Sequence, residues 1–266
     1  MDVLFLFLAG ILGGFFAGLL GIGGGIIYIA ILPYALRNFG LSNEILVGAV
    51  IANSILATFF AALLSLYRQH VHKNLYIRES LSIGIPGAVI LILAFSIVVE
   101  QGMYRFVYFN IFIIAILLFM LARHFFKLRK EKLQERKPNQ LLYSSIGASG
   151  GLLSAFSGLG GGAIVVPLLV SIIRMDIKKA TSISMGFILC ASFALSIYNL
   201  AFSKLNIENS FGGVIILPVI GPLILGVVIS APFGVIASKK VSSATLTVLF
   251  ILFVLMVMIT RILDLI

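Results

Sequence analysis

The sequence predicts an all-α, polytopic membrane protein built as an inverted tandem repeat, and three observations predict it. The 266-residue chain is 61% hydrophobic and 11% charged, with a mean hydropathy of +1.20, whereas soluble domains carry about 25% charged residues. Apolar runs long enough to cross a bilayer recur along the whole length. Seven glycines of the first half recur in the second half at one fixed offset of 137 residues.

Eight apolar runs are expected, over residues 3–36, 45–67, 79–99, 104–126, 141–173, 181–202, 211–237 and 244–263. The first begins MDVLFLFLAGILGG, which lacks a basic n-region and carries Asp2. It therefore reads as a retained segment and not a cleaved signal peptide. Runs one and five have 34 and 33 residues. A continuous helix of that length would reach about 50 Å, against a hydrocarbon core of about 30 Å. Each is interrupted by a glycine cluster, so each is expected to be two half-length helices, broken and re-entrant. RHFFKLRKEKLQERKPNQ, residues 123–140, is the one long polar connection. Its basic character places it in the cytoplasm. The chain thus divides into a first transmembrane repeat (1–126), a basic cytoplasmic linker (127–140) and a second repeat (141–266).

The duplication is visible residue by residue. Gly10, Gly13, Gly14, Gly21, Gly23, Gly24 and Gly25 match Gly147, Gly150, Gly151, Gly158, Gly160, Gly161 and Gly162, and Gly18 matches Ala155. Further on, GAVIANSILATFFAALLSLY aligns with KATSISMGFILCASFALSIY at an offset of 131, which sets Asn53 opposite Ser184. Lys and Arg then fix orientation. If all eight runs cross, the 19 basic residues divide 12 against 7; if run five returns to its own side, they divide 15 against 4. The second arrangement is the better segregated. Symmetry makes run one re-entrant too, so the halves are inverted, the plan of many secondary transporters.

The clusters GIGGG (21–25) and GLGGG (158–162) cost helix stability, roughly 1 kcal/mol per glycine relative to alanine. Non-helical backbone at membrane depth survives only where it is buried or lines a wet cavity. New half-helices are expected to begin at Gly24-Gly25-Ile26 and Gly161-Gly162-Ala163, with unpaired N–H groups and an effective charge of about +0.5 at each start. Brought together by inverted symmetry, the two starts make an anion cradle of backbone, assigned to Gly23, Gly24, Gly25, Gly160, Gly161 and Gly162. The upstream patterns Gly10-x3-Gly14-x3-Gly18 and Gly147-x3-Gly151-x3-Ala155 read instead as close helix packing.

Polar residues inside runs two and six complete the candidate site. Asn53, Ser54, Thr181, Ser182 and Ser184 are expected there, with Asn53 and Ser184 facing the cavity because a carboxamide satisfies itself poorly in hydrocarbon. Thr58, Ser192 and Ser196 lie in the same two runs, and serine and threonine hydroxyls in such runs, the candidate-site ones included, often bond back to their own helices. All nine acidic residues lie at ends or in loops. Cation-coupled carriers usually need an intramembrane carboxylate, so an anion is favoured over a cation. The net charge of +10 sits in loops and points to the membrane, not to nucleic acid. Cys190 reads as a small buried hydrophobe. His70-x-His72 lacks a third metal ligand, and no metal or cofactor is expected. GLGGGA (158–163) matches a dinucleotide fingerprint but lacks its soluble strand–turn–helix setting, and no phosphate-binding loop or intramembrane catalytic motif occurs. An enzyme is therefore not expected.

GIGGG followed by hydrophobic residues, GLGGG-x-x-VVPLL in the second half and KATSIS opening run six resemble the TauE/SafE sulfite exporter family, also called the TSUP permeases. The resemblance covers about residues 10–262 in two copies. It implies a permease of a prokaryotic cytoplasmic (inner) membrane that moves small sulfur-containing anions such as sulfite, sulfoacetate or other organosulfonates. It places Gly23, Gly24, Gly25, Gly160, Gly161, Gly162, Thr181 and Ser182 on family motif positions. Two departures stand out: Ala30 where the second half has Pro167, and Ala49-Val50-Ile51 where A-T-S is expected. A lopsided site with hydroxyls mainly from the second half follows. An anion channel, or a carrier of a non-sulfur carboxylate, is the alternative. The partners expected are the small anion, membrane lipid and a possible second copy in a homodimer, whose Gly-rich faces would permit it.

Overall fold

The structure, a computed structural model, describes residues 3–21, 23–71, 76–125, 139–203, 211–238, 241 and 243–264. Most of the expected linker, together with His72, lies outside the described residues. Among those described there are ten α-helices and no strand: α1 (Val3–Leu20), α2 (Gly25–Asn38), α3 (Asn43–Val71), α4 (Ile77–Ala94), α5 (Phe106–Phe125), α6 (Gln140–Ser157), α7 (Gly162–Leu168), α8 (Ile177–Ala201), α9 (Leu217–Ser238) and α10 (Ser243–Leu263). A single π-helical turn extends α4 through Phe95–Val99, and another extends α7 through Leu169–Ile173. Among the described residues, five helical segments are long and apolar enough to cross a membrane: Val3–Leu20, Asn43–Gln69, Ile77–Val99, Ile177–Ala201 and Leu217–Ser238.

Eight runs become ten helices because runs one and five each break at their glycines. The break is made by left-handed backbone at Gly21 and Gly23 in the first half, and at Gly158, Gly160 and Gly161 in the second. A side chain at these angles would be strained, so glycine is needed there. Run seven departs from expectation. Its first residues, 211–216, are not helical but form a small turn with a bridge between Gly212 and Ile215.

The upstream glycines serve packing. A β-carbon placed on Gly14 would stand 2.7 Å from Val227 Cα, and one on Gly10 would stand 2.8 Å from Leu223 C, so α1 and α9 touch backbone to backbone. The matching contacts in the other half are Gly147 against Ile83 and Gly151 against Gly87, each at 2.9 Å from the carbonyl carbon. In both pairs the contact advances in the same direction along the two helices. So α1 runs parallel to α9, and α6 runs parallel to α4. Small residues allow that approach, and van der Waals packing between the helices holds it where lipid offers no hydrophobic drive.

The outward faces are apolar. Leu12, Ile85, Leu225 and Phe233 are each more than half exposed, which suits a lipid boundary and no aqueous one. Buried polar pairs occur at the helix ends instead. Glu100, at the end of the α4 extension, accepts hydrogen bonds from Tyr198 Oη (2.6 Å) and Ser203 Oγ (2.7 Å). Arg261 near the end of α10 is fully buried. It pairs with Asp264 at 2.9 Å and donates to Asn110 Oδ1 and to the Ala30 carbonyl.

Candidate functional site

The two glycine breaks meet at the centre of the bundle. A β-carbon on Gly25, the first residue of α2, would stand 2.7–2.9 Å from the Cα, C and O of Leu159 in the opposite break. That contact was expected from symmetry, and it is one of backbone against backbone. Thr58 of α3 lies between the breaks, its methyl 3.1 Å from the β-position of Gly23 and 2.8 Å from that of Gly160. Ile188 of α8 touches both from the other side, at 3.7 Å and 3.6 Å. The helices that cross here, α3 and α8, thus clamp both breaks together.

Each break then starts a helix. Gly24 caps α2 and Gly161 caps α7, neither with a side-chain hydrogen bond. Among the described residues, no hydrogen bond takes up the N–H of Gly25 or of Gly162. Unpaired amides at a helix start carry partial positive charge and suit an anion. The Ile27 and Tyr28 amides bond back to Gly24 O, and those of Ile164 and Val165 to Gly161 O, the first bonds of each helix. The positive character of the centre comes from backbone alone.

Of the six glycines, Gly23, Gly25 and Gly160 meet at this contact, directly or through Thr58 and Ile188, whereas the β-positions of Gly24 and Gly161 face their own halves, at Gly13 and at Gly150 with Phe187. Ser54 joins them by donating to Gly158 O at 2.8 Å, which ties α3 to the second break. Thr181 adjoins the first break through its γ-methyl, which packs against Gly21, and is partly exposed, as is Gly23. Ser182 is buried in the same helix.

Asn53 corrects the expectation of a cavity-facing carboxamide. Its Nδ2 donates to Ala49 O (2.7 Å) and Val214 O (2.8 Å), and its Oδ1 accepts from Ile216 N (3.2 Å). It is fully buried, and its carboxamide is taken up in pinning residues 211–216 in front of α9. Ser184, its counterpart, is also fully buried, with no partner for its Oγ.

One residue of the centre went unread in the sequence. Tyr28, one turn into α2, is fully buried, and its ring lies over Gly13 and Gly24. Its hydroxyl has no hydrogen-bond partner. The counterpart in the second half is Val165, which packs on Gly150 in the same way. The spacing from Gly24 to Tyr28 is the available signal, because a helical side chain leans back over the preceding turn.

Comparison with known proteins agrees with this architecture. A family model described as sulfite exporter TauE/SafE matches residues 6–261. A probable membrane transporter protein of Methanocaldococcus jannaschii is 27% identical over 247 residues, covering 91% of this chain and 87% of that protein. Sulfite exporter TauE/SafE family protein 3 of Arabidopsis thaliana is 34% identical over 112 residues, covering 42% of this chain and 24% of that protein. No solved structure matches. With ten helices, two glycine breaks and a family match across nearly its whole length, this chain belongs to the TauE/SafE sulfite exporter family of membrane transporters.

Proposed function

We propose that the chain is a secondary transporter of small sulfur-containing anions, sulfite or a short organosulfonate, bound where the two glycine breaks meet. The backbone contact of Gly25 with Leu159 carries this reading. It sets the start of α2, with its unclaimed amide, against the break that leads into α7, and among the described residues no carboxylate is in contact there to repel an anion.

The inverted arrangement is part of the proposal and has its own support. If run five returns to its own side, the ends of runs one and eight and the start of run four share one face of the membrane. Arg37 stacks over the Phe106 ring at 4.5 Å, and Tyr34 donates to Asp264 at 3.1 Å, so those three ends lie together. On the opposite face, Lys179 lies 5.5 Å from the Tyr76 ring, joining the start of run six to that of run three. With every run crossing, both sets would be split between opposite faces. The start of α5 also lies against the end of α10 through Asn110 and Arg261, the antiparallel pairing that inverted repeats give. Positive-inside bias then places the face carrying residues 127–140 in the cytoplasm of a prokaryote.

The test is thermal unfolding of detergent-purified protein with sulfite, thiosulfate, sulfoacetate, taurine, sulfate, acetate and chloride at matched ionic strength. A ligand at 100 times its Kd adds about 2.7 kcal/mol of stability. Selective stabilisation by one sulfur anion, followed by saturable counterflow of that anion in proteoliposomes, is expected. A flat response across the panel refutes the site, and unsaturable flux without counterflow makes it a channel.

A further inference from the structure

We propose that the Tyr28 hydroxyl is a direct hydrogen-bond donor to an oxygen of the transported anion, which places the binding centre on the first-half break and off the symmetry axis. This rests on the anion-site reading above and adds a residue and a position to it.

Three observations converge. The start of α2 is a helix of 14 residues, capped by Gly24 without a side-chain hydrogen bond and with the Gly25 amide unclaimed. Tyr28 is fully buried, yet its Oη has no partner. That oxygen is aimed at this helix start: a β-carbon on Gly24 would stand 2.5 Å from Tyr28 Cζ, and one on Gly13 would stand 2.9 Å from Oη. A buried hydroxyl left unsatisfied costs about 1–3 kcal/mol. A position that keeps such a cost beside unclaimed amides is completed when an acceptor arrives. The Gly13 carbonyl oxygen, 2.7 Å from the same Gly24 β-position, is the acceptor already present there, and the Tyr28 hydroxyl and the Gly25 amide are the donors that an anion oxygen would take up.

The second half does not repeat this. Val165 stands in place of Tyr28, and the Phe187 ring fills the equivalent corner, its Cζ 2.9 Å from the β-position of Gly150 and its Cε1 2.8 Å from that of Gly161. The centre therefore has a polar side at α2 and an apolar side at α7. Expectation from the sequence was the reverse, with hydroxyls mainly from the second half.

The experiment measures Kd for methanesulfonate and for freshly prepared sulfite by thermal-shift titration of the full chain in detergent, in the parent, Tyr28→Phe and Tyr104→Phe. Tyr104 has a second buried, unpartnered hydroxyl, placed before α5 and outside the site. Tyr28→Phe is expected to raise Kd tenfold or more, the loss of one hydrogen bond to a charged acceptor. Its ligand-free Tm should equal or exceed that of the parent, because only an unsatisfied hydroxyl is removed. Tyr104→Phe should leave Kd unchanged. A rise of less than tenfold in Tyr28→Phe overturns the donor role and leaves the anion site standing. A ligand-free Tm below the parent's, or failure to fold, also overturns it, by showing that the hydroxyl already has a structural partner. If the parent itself responds to neither anion, the site reading falls and the role of Tyr28 falls with it.

Discussion

Gly25→Ala tests the meeting of the two breaks with the smallest possible probe, one methyl group. The added carbon would stand 2.7 Å from Leu159 Cα, 2.8 Å from its C and 2.9 Å from its O. Ordinary contact begins at 3.4 Å, so the breaks must separate by about 0.7 Å. No flexible side chain is available to yield, because all three neighbours are backbone. Overpacking of this kind costs about 1–3 kcal/mol. Alanine offsets at most about 1 kcal/mol through helix propensity, and less at a first helical residue. The net expectation is a loss of about 1–2 kcal/mol, or a fall in Tm of roughly 2–8 °C. Separation also moves the Gly25 amide away from the second break, so anion affinity should fall with it. Thermal unfolding with and without sulfite reads both effects. A variant with parental Tm and parental Kd would refute the backbone contact and the cradle built on it.

Three further substitutions probe the frame around the site. Gly18→Ala should destabilise by about 1–2 kcal/mol although its repeat partner is Ala155, because the new methyl meets the Ala231 carbonyl and stands 2.8 Å from Val235 N; chemical denaturation in detergent measures it. Asn53→Ala leaves Val214 O and Ile216 N buried without their partner, so stability should drop by about 2–4 kcal/mol while the Kd of the folded fraction holds, a split that anion titration below the new Tm reads. Arg261→Gln removes the cation from the Asp264 carboxylate, leaving it the Tyr34 hydroxyl, and should cost about 3–5 kcal/mol. Arg261→Lys should recover little of it in the same unfolding assay, because the two terminal guanidinium nitrogens serve separate acceptors.

The sequence makes the helices and their breaks legible because hydrophobic run length and glycine clustering are local properties. Gly14 and Gly151 could be read as packing positions for the same reason: the spacing of four keeps small residues on one face. What sequence could not supply is which polar group is already satisfied. Asn53 looks like a site residue until its partners at positions 214 and 216 are known, and they lie more than 160 positions away. Residues 211–216 look like membrane span because FGGVII is apolar, and only the Gly212-Gly213 pair hints at a turn. Tyr28 was hidden by the opposite effect. In an apolar run a tyrosine passes for bulk, and its vacant hydroxyl appears only once Gly13 and Gly24 are seen beneath the ring.

Backbone and side chains obey different symmetries at the centre. The glycine breaks, the parallel pairs α1–α9 and α4–α6, and the α3–α8 clamp all repeat. The residues that fill the clamp do not: Thr58 corresponds to Leu189, Ile188 to Ala57 and Tyr28 to Val165. Even the caps differ, with Gly24 at φ −79° and Gly161 at φ +72°. In an inverted-repeat carrier, the two access states arise when the halves exchange conformations, and identical halves would make those states equal in energy. A centre with the Tyr28 hydroxyl on one side and its apolar filling on the Thr58 methyl, Ile188, Val165 and Phe187 removes that degeneracy. An anion held at α2, as proposed, would then interact differently with the two states, and only such a difference lets a ligand shift their populations. On the proposed anion site, the divergence of the repeats would thus give the two access states unequal affinity for the anion.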